Sequence, residues 1–195
     1  MKSLRLLSTV LALTLCQTNG QLASGYEEKS QGKHQPSASG GVAKLALSSS
    51  ALKDNQTVPK DYTIEGRDIS PPLLWSAPPA KAQSLAIVVD DPDAPGAVWY
   101  HWILFNLKPT THGLGAAVPK VPTLSDGALQ GTNDFGKVGY NGPAPPRGAL
   151  HRYRFKLLAL DKKLSLPAGV KKDEFLRAIN GHIVDQAQLT GTFRH

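Results

Sequence analysis

From about Val42 onward the apolar residues fall in short runs cut by proline and glycine, a texture that predicts a mostly β domain. Candidate strands are 42–47, 62–65, 84–89, 98–107, 151–160 and 189–193. In the fifth, Tyr153, Phe155, Leu157 and Ala159 alternate with Arg152, Arg154, Lys156 and Leu158, the period of a strand with one packed and one wet face. The stretch 171–180 differs, because Phe175, Leu176 and Ile179 share one helical face and Asn180-Gly181 supplies a stop. Between 126 and 148 the chain is rich in Gly and Pro and has no period. Its aromatic residues Phe135 and Tyr140, with the rigid Pro143, Pro145 and Pro146, favour an ordered loop beside a site.

The amino end reads differently. Lys2 and Arg5 precede an apolar stretch over 6–15 and then the small or polar Thr18, Asn19 and Gly20, the layout of a secretory signal peptide over 1–20. A spanning helix needs about 20 apolar residues, so no transmembrane segment is expected here or later. Cys16 lies inside the signal and would be the lipidated residue of a lipoprotein, a reading that the bulky Leu15 before it argues against. Residues 21–41 are mostly Gly, Ser, Gln and Lys with few apolar side chains, which predicts a flexible linker. One domain over 42–195 remains, secreted or periplasmic after cleavage.

Composition narrows the function. The chain has 195 residues, 41% of them hydrophobic, enough for one ordinary core. Its single cysteine leaves with the signal, which removes both disulfides and thiol catalysis. Lys plus Arg number 22 against 15 Asp plus Glu, and loss of Lys2 and Arg5 leaves a net charge of +5. These basic residues are scattered, without a stripe or run, which argues against nucleic acid binding.

Ionisable groups collect where strands meet loops: Asp90-Asp91-Pro92-Asp93-Ala94-Pro95, Trp99-Tyr100-His101-Trp102, and Gly148-Ala149-Leu150-His151-Arg152-Tyr153. Singly, each fits a structural role as well as a functional one. An Asp-Pro-Asp turn caps its own amides, and a histidine between tryptophans suits a core position.

Together with Ile69-Ser70-Pro71-Pro72-Leu73-Leu74-Trp75, Asp134-Phe135-Gly136-Lys137-Val138-Gly139-Tyr140, Gly142-Pro143-Ala144-Pro145-Pro146 and Gly191-Thr192-Phe193, these motifs resemble the phosphatidylethanolamine-binding protein family. The similarity is to its bacterial, YbhB/YbcL-like branch, often labelled Raf-kinase-inhibitor-like, and covers essentially everything after Val42. It implies a mainly β fold, an antiparallel β-sandwich with one or two short peripheral helices. It also implies one small pocket lined by Asp91, His101, His151 and Tyr153, with Pro95 and Trp99 nearby and the 142–146 loop, with Gly142 and Ala144, on the rim. Gly96 stands where animal and plant members often have serine or threonine, Ala144 where glycine or cysteine is common, and the chain ends at His195 without the animal extension. These departures argue against carrying over kinase regulation or flowering signals.

The chemistry of such a pocket follows from its side chains. A histidine offers one N–H when neutral and two when charged, and a carboxylate behind it fixes the ring and favours the charged form. Two such rings, helped by backbone amides of the loop, would hold a small anionic or phosphorylated group such as a phospholipid headgroup. No cofactor is expected, and the reading is non-enzymatic. Three alternatives are a hydrolase in which Asp91, His101 and His151 activate water, a zinc site built from the same His and Asp residues, and a surface inhibitor of a kinase or protease. The absence of a Gly-x-Ser-x-Gly elbow weakens the first, and the lack of a closely spaced His pair weakens the second. Asn55-Gln56-Thr57 would accept a glycan in a eukaryotic host, and His112, His182 and His195 belong to no site motif.

Overall fold

The computed structural model describes residues 44–195, so the expected signal, the linker and the start of the first expected strand lie outside the described residues. Nine strands are present among them: β1 (Leu47–Ser48), β2 (Gln56–Thr57), β3 (Leu73–Trp75), β4 (Ser84–Asp91), β5 (Trp99–Leu107), β6 (Gly113–Leu114), β7 (Leu129–Gln130), β8 (Leu150–Leu160) and β9 (Ile183–Arg194). One helix, α1 (Lys172–Ile179), precedes β9. A six-stranded sheet runs β2-β9-β8-β4-β5-β7, and a three-stranded sheet β1-β3-β6. All pairings are antiparallel except β2 with β9, which is parallel. The fold is therefore mainly β, as expected. No described helix is long and apolar enough to cross a membrane.

β4 is the hinge of the packing. All eight of its residues are buried because both faces of the large sheet are covered there. Leu85, Ile87 and Val89 pack with Leu73, Trp75, Trp102 and Phe155 toward the small sheet. Ala86 and Val88 pack with Ile103, Phe105, Phe175 and Ile179 under α1. Its last two residues carry carboxylates to opposite faces. Asp90, fully buried, takes Arg154 Nε and Lys156 Nζ, each at 2.6 Å, while Asp91 turns to the other side.

β8 departs from the simple alternation read in the sequence. Arg152, Arg154 and Lys156 reach solvent, but Leu158 and Leu160 on the same face are buried beneath α1. The wet face thus ends where the helix begins to cover it. In α1 itself Phe175 and Ile179 are buried and Leu176 packs at the margin, with Gly181 at φ +78° just past the end.

Several elements differ from expectation. The 42–47 strand reduces to Leu47–Ser48, since the Leu45 amide donates to the Asp185 carboxylate (3.0 Å) instead of joining a ladder. The 62–65 strand is absent. Pro59 starts a single 3-10 turn over Lys60–Tyr62, and both the amide and the hydroxyl of Thr63 bond back to the Lys60 carbonyl. β9 is far longer than 189–193, because its first half carries polar residues that hide the period. β7 lies within the 126–148 loop and pairs with β5.

Candidate functional site

At the open end of the core between the two sheets, three neighbouring strands present side chains to one cavity of about 240 Å³. Asp91 ends β4, Trp99 and His101 open β5, and His151 opens β8. His101 reaches the cavity through a bulge. Val89 pairs with Trp102 and Asp90 with Tyr100, so His101 is an extra residue in the β5 ladder. Bulges of this kind re-aim a side chain, and here both His101 and Trp102 face the same core. The histidine ring meets Tyr153 edge-on at 5.2 Å.

The two imidazoles are held differently. His151 Nδ1 lies 2.7 Å from Asp91 Oδ2, and the other Asp91 oxygen accepts the Asp93 amide at 2.8 Å. A carboxylate only accepts, so Nδ1 carries the proton. The Nδ1 of His101 faces two carbonyls instead, Asn141 O at 2.8 Å and Gly142 O at 3.1 Å. It too is protonated at Nδ1, but no carboxylate stands behind it. The expectation of an acid behind each ring therefore holds for His151 alone. Nε2 of each ring has no hydrogen-bond partner among the described residues and is left to the cavity.

The loop that holds His101 is fixed from behind. Asp68, at φ +51°, accepts the Gly142 amide (2.7 Å), Asn141 Nδ2 (3.0 Å) and Lys120 Nζ (2.6 Å). Asn133 donates to Gly139 O and Asn141 Oδ1 and accepts the amides of Phe135 and Lys137. These bonds place Phe135 edge-on to Trp99 (5.5 Å) and His101 (5.1 Å). The Gly142 amide is spent on Asp68 and is not a donor to the cavity.

Of the residues expected at the site, Asp91, Pro95, Trp99, His101, Ala144 and His151 line the cavity. Gly142 stands behind His101 through its carbonyl, and Tyr153 lies buried beneath the ring. The Tyr153 hydroxyl is buried without a hydrogen-bond partner among the described residues. Burial and the nearby Asp91 carboxylate push this phenol far above its ordinary value, so it stays protonated. Pro146 also lines the cavity, within the 142–146 rim that the resemblance implies, and Ala94 and Phe135 join it from outside the expected site residues. Phe135 was legible only as part of the Asp134-Phe135-Gly136 motif. Asp68 and Asn133 carried no local signal, because their role is to hold main chain. Asp93 is outside the cavity. The Arg152 guanidinium grips it through two hydrogen bonds (2.9 and 2.7 Å), holding its carboxyl down at about 2.

Larger hollows of about 740, 500 and 370 Å³ lie along β9, the 114–126 loop, and the 132–136 and 171–173 segments. None of these three is lined by a histidine, and the second is lined mainly by apolar side chains. Among the described residues no three His, Cys, Asp or Glu side chains gather to hold a metal ion.

Residues 48–194 match the sequence profile described as Phosphatidylethanolamine-binding protein. The chain belongs to the phosphatidylethanolamine-binding protein family. A UPF0098 protein of Methanothermobacter thermautotrophicus is 47% identical over 150 residues, covering 77% of this chain and 99% of the relative. A UPF0098 protein of Aquifex aeolicus is 41% identical over 158 residues, covering 80% and 92%. Among solved structures, a putative phosphatidylethanolamine-binding protein homologue of Chlamydia trachomatis superposes with a TM-score of 0.70 at 39% identity, covering 78% of this chain and 98% of that one. Escherichia coli YbcL, described as a member of the mammalian family, gives 0.74 at 31% identity, covering 78% and 99%.

In this phosphatidylethanolamine-binding protein family member, burial pulls His101 below its ordinary 6.5, with the Asn141 carbonyl acting in the opposite direction. The unfolded chain therefore takes up that proton more readily than the folded one below about pH 6.5. Stability from the neutral buried ring is fully present above that value and is lost as the pH falls from it toward the lower folded value. Thermal unfolding followed between about pH 7 and pH 5 is expected to show this loss in the parent and a flatter profile in His101→Gln. Equal slopes in the two proteins would contradict it.

Proposed function

We propose that the protein is a non-enzymatic binding module for small anionic groups, chiefly phosphates and phosphoethanolamine-type headgroups, held between His101 and His151. The observation that carries this reading is the meeting of two imidazoles, each with Nδ1 committed to the protein and Nε2 facing one cavity. When His151 carries its second proton, Nε2–H donates to an anion while Asp91 balances the charge. The cavity volume of about 240 Å³ is below the roughly 300–1,000 Å³ of pockets that enclose drug-sized molecules. A headgroup-sized ligand fits that space and a whole lipid does not. Trp99, Pro95 and Pro146 give the mouth an apolar border suited to whatever carries the anion.

Among the described residues the lining contains no serine, threonine or cysteine, which argues against a hydroxyl or thiol nucleophile. Titration of O-phosphoethanolamine or inorganic phosphate to millimolar concentration, with the imidazole signals followed by NMR, tests the proposal. His101 and His151 are expected to shift together, while His182, paired with Asp161, stays in place. No movement of either cavity ring would remove the proposal.

A further inference from the structure

We infer that this site selects an oxyanion that still carries a proton, with its O–H donating to His101 Nε2 and its O⁻ facing His151, over an anion of like size and charge without one. The inference rests on the anion-binding reading and names its ligand class: a phosphate monoester in its monoanionic form. A phosphodiester, the linkage inside most phospholipid headgroups, has no proton to give.

The tautomer decides the matter. Two carbonyl oxygens converge on His101 Nδ1, at 2.8 and 3.1 Å, and both can only accept. A neutral imidazole has one N–H, so Nε2 presents a bare lone pair to the cavity. An unprotonated anion placed against it meets acceptor with acceptor.

A second proton on the ring would turn this nitrogen into a donor, and the surroundings oppose that. His101 is 2% exposed. The carboxylates around it are already engaged: Asp91 of β4 by His151 and the Asp93 amide, Asp134 of the following loop by Lys172 and the Tyr100 amide, and Asp68 behind Gly142 by Lys120, Asn141 and the Gly142 amide. Tyr153 and His151, from β8, add no negative charge. Among the described residues no lysine or arginine lines the cavity to reward a dianion. Once His151 carries its second proton, balanced by the Asp91 carboxylate, the two imidazoles divide the work, with His151 as donor and His101 as acceptor.

Three probes separate the proton from charge and shape. Methyl phosphate, whose second ionisation lies at about pH 6, keeps an O–H near that pH. Methyl sulfate and dimethyl phosphate are monoanions of similar size without one. Calorimetric titration of the full chain at about pH 6 is expected to give methyl phosphate an affinity about tenfold or more above the other two. In His101→Gln, whose amide can turn its N–H₂ inward, the preference is expected to collapse to about twofold. Methyl sulfate or dimethyl phosphate binding the parent within about twofold of methyl phosphate would overturn the inference while leaving anion binding standing; failure of all three would remove anion binding itself.

A direct readout does not depend on the variant. The ¹⁵N shift of His101 Nε2 in the free protein is expected at the unprotonated position, and a protonated Nε2 there overturns the assignment. Co-sedimentation with phosphatidylcholine vesicles containing phosphatidic acid, reversed by free methyl phosphate, would mark the monoester as lipid-borne. Binding of methyl phosphate without co-sedimentation would mark it as a free ester.

Discussion

Asp91→Ala is expected to cost about 3 kcal/mol or more of folding stability and to abolish measurable phosphate binding. The carboxylate is nearly sealed from solvent, with 4% of its side chain exposed, and both its oxygens are in use. Its loss leaves the His151 Nδ1–H without its acceptor and takes the acceptor from the Asp93 amide. The turn after β4 then loosens, and with it the Asp93 carboxylate that receives the Arg152 side chain and amide. Freed of its partner, the His151 ring can reverse its tautomer and present the wrong nitrogen. Denaturant unfolding measures the first effect and NMR titration the second. Asp91→Asn keeps an acceptor and the shape, so it is expected to recover much of the stability. Parental stability and binding in Asp91→Ala would show that the pair does not organise the site.

Gly142→Ala is expected to be nearly as damaging, at about 2–3 kcal/mol, for a steric reason. A Cβ there would lie 2.4 Å from the Tyr62 carbonyl oxygen and 2.7 Å from Thr63 Cα. Both belong to backbone, in a turn that is itself tied by Thr63 to Lys60, so neither yields as a side-chain tip would. Whatever displacement relieves the clash moves the Asn141 and Gly142 carbonyls, and these hold His101. The preference for a protonated ligand should therefore weaken even where the variant folds. Thermal unfolding together with the methyl phosphate to methyl sulfate affinity ratio checks both parts, and an unchanged ratio at unchanged stability would contradict them.

The sequence made part of this visible. β4 was readable because it is buried on both faces and so consists of apolar residues up to its acidic end, and α1 because Phe175 and Ile179 recur at one helical period. Asp91, His101 and His151 were visible as ionisable groups at strand ends, and their motifs carried the family. What stayed hidden depends on contacts between distant segments. The bulge at His101 is a property of the pairing with β4 and leaves no mark in β5 alone. Nothing near His101 announces that carbonyls 40 and 41 positions on, rather than an acid, will receive its Nδ1 proton. The first half of β9 escaped because Asp185, Gln186 and Gln188 interrupt its apolar residues on a partly exposed strand. The 3-10 turn at Lys60–Tyr62 displaced an expected strand because the hydrogen bonding of Thr63 outweighs the strand preference of its neighbours.

The two consecutive acids that close β4 have a bearing on folding accuracy. Neighbouring positions on a strand look to opposite sides, so Asp90 finds two cations and Asp91 an imidazole only when β4 lies in its observed alignment with β8. Sliding the strand by a single step would exchange their surroundings, sending each carboxylate toward the apolar half meant for the other set of side chains. The pair thus works as a proofreading device for strand alignment, and the group that equips the cavity also penalises the misaligned sheet.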